Sequence, residues 1–151
     1  MSLDVDVTTN AVRSPVSRVR IGEIAREVLR AERVRNALVS ITLVDKRAMA
    51  RLNASHLGHR GATDVISFGF TRATPTDPVI GDIYICPTVG AENARARGEP
   101  VRRELARLVI HGVLHVLGHE HPVNGGRERS PMWRRQERLL ARFWPEGRRE
   151  R

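Results

Sequence analysis

Four of the six histidines in this 151-residue chain fall within one run, His111-Gly112-Val113-Leu114-His115-Val116-Leu117-Gly118-His119-Glu120-His121. On a helix, His111 and His115 project from one face, because residues four apart lie one turn above each other. Gly118 can adopt the left-handed conformation that ends a helix, so His121 can turn back toward the other two. Three neutral imidazoles arranged this way point to one tetrahedral Zn²⁺ per chain, with the fourth position open to water, as hydrolytic zinc sites require. The alternative is a set of polar residues on a solvated helix. It fits poorly, because the stretch around the histidines is mostly apolar and buried histidines need partners.

The same intervals occur in zinc peptidases with the pattern H-E-x-x-H-x-x-G-x-x-H, whose glutamate takes a proton from the attacking water. Here that position is Gly112, and glycine has no side chain to accept a proton. The ligand spacing is protease-like and the proton chemistry is not. A zinc metallopeptidase lacking the usual glutamate base stays open as an alternative.

The rest of the composition narrows the class. The length fits one domain with a real core, and 40% hydrophobic with 28% charged residues is ordinary for a globular chain. Cys86 is the single cysteine, so no intrachain disulfide can form; it reads as a small strand residue. No signal peptide is visible at the N-terminus and no apolar run approaches the ~20 residues that span a bilayer. The expectation is a cytoplasmic protein without a membrane partner or an organic cofactor. The net charge of +9 favours polyanions, nucleic acid first. Lys46 is the only lysine among 26 basic residues, and aromatics make up only 4%. Phosphate contact by arginine is therefore expected in preference to a base-stacking platform.

These residues need elements to hold them. Leu3 to Thr8 alternates as a strand does, and Ile21, Ile24, Ala25, Val28 and Leu29 predict an amphipathic helix to about Glu32. Ala37 to Val44 is a β-branched central strand, after which Asp45 caps a helix carrying Ala48, Met49 and Leu52. Asp64–Phe70 and Val79–Cys86 are further strands, separated by a loop with Pro75 and Pro78. A helix from about Val89 to Arg97 stops at Gly98. The histidine helix begins at Val101 and becomes apolar on nearly every side, which places it at the centre of the domain. Pro122, Asn124, Gly125 and Gly126 mark a loop, and a last helix from Ser130 or Pro131 turns Met132, Gln136, Leu139, Leu140 and Phe143 inward. The tail from residue 145 is charged and expected to fray. The order βαβαββααα predicts a single α/β (α+β) domain over residues 1–151, with a small mixed four-stranded sheet packed by about five helices.

The chain resembles the YbeY family, metal-dependent endoribonucleases also called rRNA maturation factors. Their signature, H-G-x-L-H-L-x-G-x-D-H, differs here only by Val116 for Leu and Glu120 for Asp. Leu52-Asn53, Thr63-Asp64-Val65-Ile66-Ser67-Phe68 and Gly81-Asp82-Ile83 leading to Cys86 agree in order, as does Met132-Trp133 followed by Gln136-Glu137. The similarity spans about residues 20 to 144. The resemblance implies a metal-dependent hydrolase domain acting on ribosomal RNA, with ribosomal RNA or ribosomal subunits as partners. One departure stands out: matching position by position puts Leu57 where the family carries an arginine associated with phosphate binding near the metal. Arg60, three residues on, is the candidate substitute, because its planar fork suits phosphate.

Asp64 and Asp82 follow the family pattern and could each orient a ligand histidine, or simply cap a turn. Ser67 reads as a strand residue, and His119 as an exposed position outside the metal set. His56 and His59 could line the cleft. The resulting expectation is a zinc-dependent endoribonuclease of the single-strand type, serving rRNA processing, ribosome maturation and quality control. Besides the peptidase, the rival is a non-catalytic, RNA-binding ribosome-assembly factor whose zinc is structural.

Overall fold

The computed structural model describes residues 1–122 and 125–145. Strands β1 (Leu3–Asn10), β2 (Ala37–Val44), β3 (Val65–Phe70) and β4 (Val79–Ile85) form one sheet in the order β1-β2-β4-β3. β1, β2 and β4 run parallel and β3 pairs antiparallel with β4 at one edge. Five helices complete the α/β domain: α1 (Arg18–Ala31), α2 (Lys46–Leu52), α3 (Pro87–Ala96), α4 (Val101–Val116) and α5 (Pro131–Phe143). Caps set several boundaries. Ser17 accepts from the Arg20 amide and starts α1 a turn before its first buried isoleucine. Asp45 caps α2 as the sequence predicts, and Ser130 caps α5 through the Trp133 amide. Pro87 opens α3 two residues before the expected Val89, because proline suits the first helical position. The end of α2 was not foreseen: the chain widens into one π-type turn at Asn53–Leu57, stopped by Gly58 at φ +67°. The expected loop residue Asn124 and most of the expected frayed tail, from residue 146 on, lie outside the described residues.

The two sheet faces differ. α1, α4 and α5 build the main core over one face, where alternate strand residues such as Val39, Ile41, Ile83 and Ile85 are buried. The other face is covered at one end only, by a small cluster of Val44, Met49, Ile66 and Cys86. Burial pushes the Cys86 thiol pKa up, which suits a packing residue rather than a nucleophile. α4 is the central element and touches α1, α3, α5, β3 and β4. Every residue from Glu104 to Leu114 on it is buried.

Glycines allow α4 to lie this close to the sheet. A Cβ at Gly112 would stand 2.7 Å from Cγ2 of Ile83, and one at Gly69 would stand 2.5 Å from the backbone oxygen of Val116. A Cβ at Gly81 would meet Cγ1 of Val116 at 2.4 Å. These separations are well inside carbon contact distance. Gly112 and Gly81 thus hold the C-terminal half of α4 on β4, and Gly69 holds its end on edge strand β3.

Candidate metal centre

His111 and His115 project from one side of α4, and Gly118 at φ +96° ends the helix as expected. The amides of Gly118 and His119 bond back to the carbonyls of His115 and Leu114, a tight reversal that brings His121 over the other two. The ring centroids stand 4.6 Å (His111–His115), 4.9 Å (His115–His121) and 5.3 Å (His111–His121) apart. One donor atom from each ring lies within 4.8 Å of the others, close enough for a single ion with bonds of ~2 Å to recruit all three.

The protonation chemistry fits a cation. Burial, opposed in part by a hydrogen bond to Gln136, pushes the His111 pKa down to about 3. His115 is lowered as well, by burial and then by the neighbouring His121. Near neutral pH these two rings are uncharged and have a lone pair to give. The other ring nitrogens of His111 and His121 are held. His111 Nδ1 stands 2.6 Å from Gln136 Oε1, and His121 Nδ1 stands 3.1 Å from the Pro122 carbonyl oxygen. Both acceptors lack a proton, so each Nδ1 carries the hydrogen and each Nε2 is left for a metal. The donor set therefore fits a bound metal ion.

Gln136 is the site residue that the sequence leaves without a role. It is 1% exposed, and its amide nitrogen donates to Glu137 Oε2 at 3.1 Å, which aims the amide oxygen at His111. Glu137 is gripped in turn by the Arg107 fork at 3.0 and 3.1 Å. A chain of contacts, Arg107 to Glu137 to Gln136 to His111, fixes the ring orientation from behind. The sequence signal was a polar residue on the inward stripe of an otherwise apolar helix face.

The other expected residues separate. Asp64 enters the cleft beside His111, a space of about 130 Å³ also lined by Arg107, Arg127, Glu128 and Trp133. Its carboxylate partner is Asn93 at 3.4 Å and not a histidine. Asp82 is corrected: it pairs in register with Ser40 and Phe68, on the sheet face away from α4, and accepts from Ser40 Oγ at 2.7 Å. Strand alternation explains this, since Ile83 points at Gly112 and its neighbours point the opposite way. His119 is half-buried rather than exposed, with Nε2 2.8 Å from Glu32 Oε1 at the end of α1. His56 packs edge-on against Phe68 at 5.2 Å, and His59 is exposed. Neither lines the cleft, and neither do Leu57 and Arg60, both exposed. Asn53, buried at 6%, donates to the Gly61 carbonyl and ties down the loop that carries Arg60.

A second groove of about 240 Å³ opens on the other side of His115, between Gly118 and Arg72. A wider concavity of about 430 Å³ lies on the open sheet face around Asp4, Asp6 and Asp82. It contains none of the histidines, so its size carries no chemical weight.

An α/β domain with a three-histidine cluster, His111 buried and His115 and His121 half-buried, next to a cleft is a metallohydrolase-like arrangement. Comparison with known proteins agrees: residues 6–144 match the family model described as endoribonuclease YbeY. The chain belongs to that family. The endoribonuclease YbeY of Thermobifida fusca is 36% identical over 149 residues, covering 93% of each chain. That of Kineococcus radiotolerans is 37% identical, covering 95% of this chain and 87% of the relative. A Thermotoga maritima protein solved in solution superimposes with a TM-score of 0.67 at 26% identity, covering 95% of this chain and 91% of that one.

Proposed function

We propose that the chain is a zinc-dependent endoribonuclease that cleaves ribosomal RNA precursors in the cytoplasm, in ribosome maturation and quality control. The observation that carries this reading is the convergence of His111, His115 and His121, whose donor atoms lie within 4.8 Å of one another, in a chain of this family. Zinc held there would supply Lewis acidity toward a phosphoryl oxygen and acidify a coordinated water. The residues do the positioning. Gln136 and the carbonyl of Pro122 fix the tautomers of His111 and His121, and burial keeps His111 from protonating. The net charge of +9 draws the RNA backbone.

The peptidase alternative loses its remaining ground at Gly112. A side chain there would run into Ile83 of β4, so a glutamate at that position would point into the sheet and not at the metal. One observation favours the assembly-factor reading: Leu57 has neither charge nor a hydrogen-bond donor where the family has arginine. The test is incubation of zinc-loaded protein with structured rRNA, beside a His115→Ala control that exposes contaminating ribonuclease. Cleavage by the wild type and none by the control is expected. Equal cleavage by both, or RNA binding without turnover, would overturn the enzymatic reading.

A further inference from the structure

With Leu57 unable to meet a phosphate, a nuclease site here needs a cation from elsewhere, and the cleft beside His111 holds three arginines. Two are committed. Arg107 is bound by Glu99, Glu104 and Glu137, and Arg97 is paired with Glu99 and Glu104. The guanidinium of Arg127 has no hydrogen-bond or ion-pair partner among the described residues. In the groove on the far side of His115, Arg72 donates to the Pro75 carbonyl.

The position of Arg127 is built by its backbone. Gly125 and Gly126 take positive φ values of +44° and +69°, turning the chain after His121. A 3₁₀ turn at Arg127–Arg129 follows, and Ser130, which caps α5, donates to the Arg127 carbonyl through both Oγ and N. The residue is anchored at its main chain while its side chain is exposed and lines the cleft.

We propose that Arg127 is the phosphate-binding cation of this cleft, taking an RNA phosphate beside His111 where Leu57 offers no cation. A guanidinium without a partner among the described residues suits this role, because its planar fork can donate to two phosphate oxygens without first breaking an internal ion pair. The inference rests on the endoribonuclease reading for its substrate class, but it can be tested without turnover. A short single-stranded oligoribonucleotide is titrated into the metal-free and the zinc-loaded protein, followed by tryptophan fluorescence. Trp133 lines the same cleft and Trp144 is buried, so quenching reports on the site.

Arg127→Ala should weaken binding by about tenfold or more, the scale of a hydrogen bond to a charged group. It should also flatten the dependence of log K on log salt by about 0.7, the value for one contact to a single strand. Zinc content should be unchanged, because the side chain has no hydrogen-bond or ion-pair partner among the described residues. Arg127→Lys should keep the salt slope and lose part of the affinity, and Arg60→Ala should alter neither. Wild-type affinity and slope in Arg127→Ala would overturn the proposal, as would a loss confined to Arg60→Ala. If the oligonucleotide binds through Arg127 and is never cleaved by zinc-loaded wild type, the cation stands and the endoribonuclease reading falls.

Discussion

At the scale of single residues, the proposed metal centre depends on the groups behind its three histidines as much as on the histidines. His111 is a useful donor because burial keeps it neutral, and it tolerates burial because Gln136 accepts from its Nδ1. Gln136→Leu removes that acceptor and leaves an unpaired N–H in the core. It should cost the metal-free protein about 1–3 kcal/mol and weaken metal binding by roughly 10–100-fold. Denaturant titration reads the first effect and chelator competition the second; unchanged metal affinity would mean that the ring orients without help. The ligand set itself has a direct check. His111→Ala, His115→Ala and His121→Ala should each abolish stoichiometric zinc. His119→Ala should retain it, because His119 turns toward Glu32. Loss of metal in the His119 variant with retention in the His121 variant would exchange their roles.

At the scale of elements, the seam between α4 and the sheet sets where the histidines stand. Gly112 faces Ile83 and Gly69 faces the Val116 carbonyl, one residue past His115. Gly112→Ala gains helix propensity worth about 1 kcal/mol, yet it places a methyl where Ile83 Cγ2 leaves no room. Overpacking costs of about 1–3 kcal/mol should offset or exceed that gain. In an Ile83→Ala background the obstruction is gone and the same substitution should stabilise by the propensity alone. Urea unfolding of the two singles and the double gives the coupling, and additive energies would show that the contact is not tight. Gly69→Ala has no such relief, since its obstacle is backbone; it should destabilise more and weaken metal binding by displacing the end of α4.

At the scale of the whole molecule, charge is unevenly distributed. None of the four strands contains lysine or arginine, so the chain's 26 basic residues lie outside them. The open sheet face carries Asp4, Asp6 and Asp82 among exposed Leu38, Ile80 and Phe70. On the proposed function, an RNA backbone is expected on the helical side, where the cleft and the histidines are, although Arg26 of α1 also reaches the concavity of the open face. RNA affinity should accordingly fall steeply between ~50 and ~200 mM salt, with log K linear in log salt. An affinity flat across that window would remove the electrostatic basis for an RNA interface. No helix among the described residues is long and apolar enough to cross a membrane.

The local pattern of the chain was enough to determine the strands, the helix that carries His111 and His115 and the turn at Gly118, and to bring His111, His115 and His121 forward as candidate ligands. Each is a short-range effect: alternation, a period of 3.6, a cap, or a residue able to take positive φ. Sequence also gave Gly112 as the absence of a base, but not its purpose, because Ile83 is 29 positions away and meets it only across the packed seam. The same limit explains the misses. Asp82 reads as a possible partner for a histidine until strand register turns it to the other face. His119 reads as exposed until α1 brings Glu32 beneath it, and Gln136 and Arg127 acquire neighbours only when α5 folds back over α4. Which residues belong to the site was therefore partly a matter of ligand spacing, which the sequence holds. Which groups support those ligands was decided by the tertiary structure, because contacts between distant segments follow from packing that no local pattern records.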